Sequence, residues 1–300
     1  MKSLKQMTLL VLLLLTTAAA FADQYHTLNI TANTPPNPDA QTSPKKGFVY
    51  KGDDPFLASK LSALGASWFY TWGSRRPEGV APSLPFTPQI WGRVRRDPGI
   101  LNELKTIAPQ GDSGALLGAN EPDFKKQSNL SVDEELDLWP AMEATGRRLG
   151  SPAMAMNPLK DGSWLREFLK KAQEKNDRVD FIAIHWYGPP NAEHFLDFID
   201  QLHAAFGKPI WITEFAVADW QARGGGSTRY TTDEVISFIR VVLPGLEKRD
   251  FVEHYAWFSP VITSPIMGTS ALFNADGTLT EAGQWYAKLG ATGIQGTPTP

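Results

Sequence analysis

Residues 180–216 read DFIAIHWYGPPNAEHFLDFIDQLHAAFGKPIWITEFA. Two short and nearly continuous apolar runs, Val179–Tyr187 and Pro209–Phe215, flank an amphipathic stretch over Ala192–Phe206. A strand that is apolar on both faces suits a parallel sheet covered by helices, and the stretch between supplies the crossover helix. The unit is therefore read as strand, helix, strand.

The same alternation continues in both directions. Further strands are expected at Gly47–Lys51, Ser67–Trp72, Gln89–Trp91, Ala115–Asn120, Ser151–Met156 and Phe251–Phe258. Further helices are expected at Val132–Leu149, Ser163–Lys175, Thr232–Lys248 and Thr280–Leu289. Eight strand–helix units in about 250 residues is the arithmetic of an α/β fold, a single (β/α)8 TIM barrel. Prolines crowd residues 76–88, ahead of the third strand. A doubly wound open sheet is the alternative, but neither G-x-G-x-x-G nor G-x-x-x-x-G-K-[ST] occurs to support it.

The ends differ in character from this middle. Lys2 and Lys5 precede an apolar run over Leu9–Leu15, and Ala20-Phe21-Ala22 fits a cleavage site. The run is shorter than the roughly 20 residues a membrane-spanning helix needs. Residues 1–22 are thus expected to be a signal peptide, and the product to be secreted or periplasmic, with no membrane association after cleavage. Residues 31–46 hold four prolines, so 23–46 is read as a loosely attached arm. Residues 291–300 are read as a flexible tail, which leaves 47–290 as one globular domain, expected to be a monomer. The chain has no cysteine, which excludes disulfides, thiolate metal sites and a cysteine nucleophile. A formal net charge of -3 argues against nucleic acid as a partner.

A barrel places function at the C-terminal ends of its strands. Two glutamates meet that condition: Glu121 in LLGANEPD (116–123) and Glu214 in PIWITEFA (209–216). A carboxylate closing a buried strand is costly unless it is paired or used. Neither has a lysine or arginine beside it in sequence, although a barrel-mouth arginine could still satisfy one. Two carboxylates at a barrel mouth suit cleavage of a glycosidic bond, one protonating the leaving oxygen and the other attacking or activating water.

Strand Val179–Tyr187 ends in His185-Trp186-Tyr187. Strand period puts His185 and Tyr187 on one face and turns Trp186 away. Such a histidine is as often structural as catalytic, but this spacing favours a hydrogen-bonding pair around a glutamate or a sugar hydroxyl. There are 10 tryptophans. About half, including the helical Trp139, Trp164 and Trp285, are assigned to packing. Tyr70, Trp72, Trp91, Trp220 and Trp257 fall near strand ends, where flat rings suit the C–H faces of sugars. Trp257 is expected to be the main platform.

With those residues in place, the chain resembles the clan A glycoside hydrolases. Asn120-Glu121-Pro122 and Glu214 match that clan, in which the first glutamate is the acid/base, the second the nucleophile, and the asparagine contacts the sugar 2-hydroxyl. His185, Tyr187 and Trp257 match accessory positions. More narrowly, GFVYKG, LLGANEPD, DFIAIHWYG, PIWITEFA and HYAWFSP resemble glycoside hydrolase family 128, in order, from Gly47 to about Leu289. The resemblance implies β-1,3-glucan as substrate and retention of anomeric configuration; joined to the signal peptide, it gives the expectation of a secreted endo-β-1,3-glucanase with no cofactor or metal. Retention would need the two carboxyls about 5–5.5 Å apart. A clan A enzyme acting on another β-glucan or a mannan, and a non-catalytic glucan-binding barrel, remain as alternatives.

Other features are read as structural. Gly111-Asp112-Ser113-Gly114 precedes a strand and reads as a turn. His194 and His203 lie on a helix, and no H-E-x-x-H occurs. Asp133, Glu134 and Glu135 open a helix after Ser131, where acidic side chains stabilise the N-terminus. Arg93, Arg95 and Arg96 are read as a solvated loop. The loop over 219–230 contains Gly224–Gly226 and reads either as a lip over the cleft or as an ordinary surface loop.

Overall fold

The computed structural model of the protein describes residues 34–92, 99–106, 113–223 and 226–290. The expected signal peptide, the arginine cluster at 93–96, part of the 111–114 turn and the tail at 291–300 lie outside the described residues.

Among the described residues there are seven regular strands: β1 (Lys46–Val49), β2 (Trp68–Tyr70), β3 (Ala115–Leu117), β4 (Arg148–Gly150), β5 (Ile182–Gly188), β6 (Ile210–Val217) and β7 (Val252–Phe258). Five form a parallel ladder in the order β2-β1-β7-β6-β5, and β3 pairs with β4. Isolated parallel bridges join these two pieces into a ring. Phe69 pairs with Phe86 and Gln89 with Leu117, while Gly150 pairs with Phe181. The segment at 86–90 is thus the eighth station of the (β/α)8 barrel. It is irregular because Pro85 and Pro88 have no N–H for a ladder. Their carbonyls still accept from Phe69 and Leu117, each at 3.0 Å.

The helix expected over Val132–Leu149 ends earlier, at Glu143, and the strand expected at Ser151–Met156 is replaced by β4 at Arg148–Gly150. Gly146, with φ 73°, takes the left-handed conformation that stops the helix, and β4 begins two residues later. Helices Ala192–Phe206 and Thr232–Glu247 lie close to expectation. Ser131 with Glu134 and Thr231 with Glu234 form capping boxes that satisfy N-terminal N–H groups.

Strand alternation sorts the apolar residues into two cores. Inside the ring lie Val49, Trp68, Tyr70, Ala115, Leu117, Ala153, Phe181, Ala183, Trp211 and Ala256. Between ring and helices lie Phe69, Ile182, Ile184, Ile210, Ile212, Phe215 and Trp257, among others. Small residues make room for large ones in the interior. A Cβ on Gly47 would stand 2.3 Å from the Trp68 ring, and one on Gly150 would stand 2.4 Å from Phe181. Phe181 stacks on Trp211 with centroids 4.2 Å apart. The rings of Trp68, Phe181 and Trp211 fill the barrel toward the strand N-termini, and polar side chains begin at the other end.

The arm is not loose over its described part. Thr34 donates to Ser59, the Asn37 amide to Ala63, and Gln41 N–H to the Ala287 carbonyl. Lys46 is fully buried at the start of β1. Its ammonium donates to the carbonyls of Gln41, Ala287 (3.1 Å) and Leu289 (2.8 Å). Burial outweighs the attraction of Glu247 and lowers this amine to about 7.

Candidate active site

A backbone irregularity aims Glu214. Ile212 and Phe215 both face the helices, so uninterrupted alternation from Ile212 would turn Glu214 to the helix side as well. Instead β6 carries one extra residue. Its pairing with β5 passes from Ile184–Ile212 to His185–Glu214, and its pairing with β7 jumps from Ile212–Tyr255 to Phe215–Trp257. This bulge bends the strand and re-aims a side chain. Glu214 therefore enters the mouth, while Thr213 bonds the Ile184 carbonyl at 3.2 Å.

Glu121 is presented by a turn after β3. Its N–H donates to Ala153 at 2.8 Å, and Asn120 N–H donates to Trp91 at 2.9 Å. Glu121 has φ 45°, and Trp72, across the mouth, has φ 57°. Left-handed backbone at bulky residues is sterically costly and clusters at functional sites.

Side chains from β2, β3, β5 and β6 converge here. Tyr70 O–H and Trp72 Nε1–H donate to Glu214 Oε1 at 3.0 and 2.7 Å, and Tyr187 O–H donates to Oε2. His185 Nδ1 lies 3.0 Å from Glu121 Oε1. Its Nε2 stands 3.3 Å from Glu214 Oε1 without a hydrogen bond's geometry. Oxygens of both glutamates and a ring nitrogen of His185 fall within 4.8 Å of one another. Burial lowers the His185 pKa, but the negative charges of Glu214 and Glu121 outweigh it and the net shift is upward. Burial, reinforced by Glu214, raises the phenols of Tyr70 and Tyr187 well above their ordinary value, so both stay O–H donors. By distance alone the triplet could approach a cation. However, three donors already occupy the two oxygens of Glu214, and two of them are phenols held protonated.

Most of the expected mouth residues meet, with two changes of role. Tyr70 is buried and acts as a donor to Glu214, not as a surface platform. Trp257 is a correction. It is 0% exposed, packs against Phe215, Phe238 and Tyr286, and donates Nε1–H to the Ser270 carbonyl. Its side chain lies in the shell under the helices, so no sugar reaches it. Strand period gives the mouth position to the next residue, Phe258, whose ring meets Trp72 and Tyr187 edge-on. Trp186 turns away onto Phe195 and Phe238, as its spacing predicts. Trp91 and Trp220 are 39% and 42% exposed. Trp220 donates to the Tyr187 carbonyl at 2.9 Å, and Arg223 covers its ring at 4.8 Å.

Besides Phe258, three participants escaped the sequence reading. Gln127 accepts from the Asn120 amide at 3.3 Å. Asp123 pins the neighbouring loop by accepting from Ala155 and Met156 N–H, each at 2.9 Å. Glu135 lies buried behind the Glu121 turn. Only Asp123, two residues beyond Glu121, carried a positional signal.

Residues 47–286 match the glycosyl hydrolase catalytic core family. The chain is 34% identical to a GH128 subgroup I endo-β-1,3-glucanase from Amycolatopsis mediterranei, solved with laminaritriose. That match covers 82% of this chain and 99% of the other, with a TM-score of 0.69. A GH128 subgroup II endo-β-1,3-glucanase from Sorangium cellulosum is 29% identical over 81% of this chain and 97% of its own, with a TM-score of 0.66. Alkali-sensitive linkage protein 1 of Schizosaccharomyces pombe is 29% identical over 257 residues, which is 82% of this chain but 45% of that protein. The chain thus spans less than half the length of that relative. Taken with the barrel and its paired carboxylates, these matches establish that the chain belongs to the glycosyl hydrolase catalytic core family and, within it, to glycoside hydrolase family 128.

Proposed function

We propose that the protein is a secreted, retaining endo-β-1,3-glucanase with Glu214 as nucleophile and Glu121 as acid/base. The observation that carries this reading is the approach of Glu121, His185 and Glu214 oxygens and nitrogen to within 4.8 Å. Double displacement uses carboxyls about 5–5.5 Å apart, whereas inversion needs about 6.5–9.5 Å to admit a water. The substrate class is supported by the β-1,3-glucanases at 34% and 29% identity, the first solved with a laminari-oligosaccharide.

In the first step, a Glu214 oxygen bonds to the anomeric carbon while Glu121 gives its proton to the departing glycosidic oxygen. In the second, Glu121 takes a proton from water, the water oxygen bonds to the anomeric carbon, and Glu214 leaves as carboxylate. Tyr70, Trp72 and Tyr187 hold the nucleophile's oxygens through both steps. His185 occupies Glu121 Oε1, which leaves Oε2 for substrate. Asn120 Oδ1 is buried without a hydrogen-bond partner and suits the sugar 2-hydroxyl. Trp72, Trp91 and Trp220 offer ring surface to the chain. A cleft of about 280 Å³ lined by Asp123, Met156, Asn157 and Trp164 adjoins the acid/base turn and would take the leaving segment.

Among the described residues, no helix is long and apolar enough to cross a membrane; export and a monomeric state are part of the proposal. Digestion of laminarin, carboxymethylcellulose, xylan and mannan tests the substrate, with proton NMR of the first-formed anomer. Laminarin cleaved internally with a β product is expected. Preferred cleavage of another polymer, or an initial α product, would overturn the substrate or the mechanism respectively.

A further inference from the structure

A third glutamate is sealed directly behind the turn that presents Glu121. Glu135, on the helix Val132–Glu143, is 1% exposed. Its Oε1 accepts the Ala119 N–H at 3.1 Å, and its Oε2 has no hydrogen-bond partner. Position in sequence suggests ordinary helix-start charge, but Asp133 and Glu134 are exposed and Glu134 closes the capping box. Glu135 faces the opposite way. Burial raises its carboxyl to about 7, against the pull of the Ala119 N–H. An apolar side chain would fill the same space without this desolvation cost.

What the carboxyl holds is one peptide unit. The carbonyl of Gly118 accepts from the buried Gln89 amide at 3.2 Å, and the N–H of the same peptide, that of Ala119, is the group Glu135 binds. Both sides of the plane are thus fixed by side chains. Gly118 is cut to this fit, since a Cβ there would stand 3.1 Å from Glu135 Oε1 and 2.9 Å from the Pro152 nitrogen. Two residues on, Glu121 leaves the backbone at φ 45°, a conformation that needs support from its surroundings.

We infer that Glu135 is a positioning residue for Glu121, fixing the 118–119 peptide plane and through it the direction in which the acid/base side chain points. The inference rests on the proposed assignment of Glu121 as acid/base.

Leaving-group dependence separates this role from a general structural one. In a retaining enzyme kcat/KM reports steps up to the glycosyl-enzyme. A glucan leaving group needs a proton there, and a dinitrophenolate does not. Glu135→Leu, Glu135→Gln and Glu121→Ala should be compared on laminarihexaose and on 2,4-dinitrophenyl β-laminaribioside. Glu135→Leu is expected to lower kcat/KM on the hexaose by about 30-fold and on the aryl glycoside by under about threefold. Glu135→Gln, which keeps an acceptor oxygen, is expected to stay within about twofold on both. An equal fall on both substrates, or no fall on either, for Glu135→Leu would overturn the inference. Should that variant not fold, Glu135→Asp carries the same comparison, because it withdraws the acceptor by one methylene. If Glu121→Ala itself shows no leaving-group dependence, the acid/base assignment fails and the inference with it.

Discussion

His185 stands opposite Glu214 in the ladder between β5 and β6, where regular pairing after Ile184 and Ile212 would have put it opposite Thr213. One inserted residue therefore does two things. It turns the Glu214 carboxyl into the mouth, and it brings that carboxyl level with the imidazole that also touches Glu121. The two carboxylates are coupled through a single ring.

On the proposed roles, replacing either carboxylate removes a bond-making group. Glu214→Gln and Glu121→Gln are each expected to cut reducing-sugar release from laminarin by at least about a thousandfold. Thermal melts should move by only a few degrees, because both side chains stay isosteric.

Glu121→Ala should recover turnover of an aryl glycoside on adding azide, since the small anion attacks the glycosyl-enzyme without a general base. NMR of the product is expected to show the β-glycosyl azide; an α product would contradict double displacement.

Tyr187→Phe removes the O–H donor to Glu214 Oε2 and leaves Trp72 and Tyr70 on Oε1. Loss of one preorganised donor at a reacting oxygen costs about 10²–10³ in turnover. The expected fall is in kcat, with KM nearly unchanged, read from steady-state kinetics on laminari-oligosaccharides.

The pH dependence of stability should report His185. Its folded pKa is raised above 6.5 by the glutamates. The stabilisation is therefore complete below the unfolded value near 6.5 and is lost as pH rises through the folded value. His185→Gln keeps a hydrogen-bonding side chain without the charge. Its deficit against wild type, about 1–3 kcal/mol in denaturant melts, should be largest near pH 5.5 and shrink toward pH 9.

Two tryptophans should behave in opposite ways. Trp257→Leu is expected to cost about 2–4 kcal/mol of stability, because the ring is enclosed in the shell. Trp220→Ala is expected to leave stability within about 1 kcal/mol and to raise KM for long oligosaccharides severalfold. Melts and oligosaccharide kinetics on both variants check the pair.

The barrel and both glutamates were legible because their signals are local. Apolar runs such as IWIT and AIH, each closing in a polar residue, need only period and position to be read. The exchange between Trp257 and Phe258 was not legible, because β7 alternates regularly, with Tyr255 and Trp257 toward the helices and Ala256 and Phe258 inward, yet a run apolar on both faces does not show which set faces in. Glu135 was missed for a different reason. It follows two exposed acidic residues in the first turn of a helix, and only the packing of that helix against Gly118 distinguishes it. The third strand was placed at Gln89–Trp91, but prolines reduce it to single bridges beginning at Phe86. The arm at 34–46 looked loose by composition, yet its backbone and polar side chains bond to the barrel.

Lys46 gathers the carbonyls of Gln41, Ala287 and Leu289 around one ammonium, so the two extremities of the barrel domain meet at a single knot beside the start of β1. That knot lies at the end of the strands remote from Glu121 and Glu214. A circular permutant joining residue 290 to residue 41 would bridge neighbours and cross no substrate path. A further module fused at either point would hang from the end of the barrel opposite Glu121 and Glu214 and leave the mouth unobstructed.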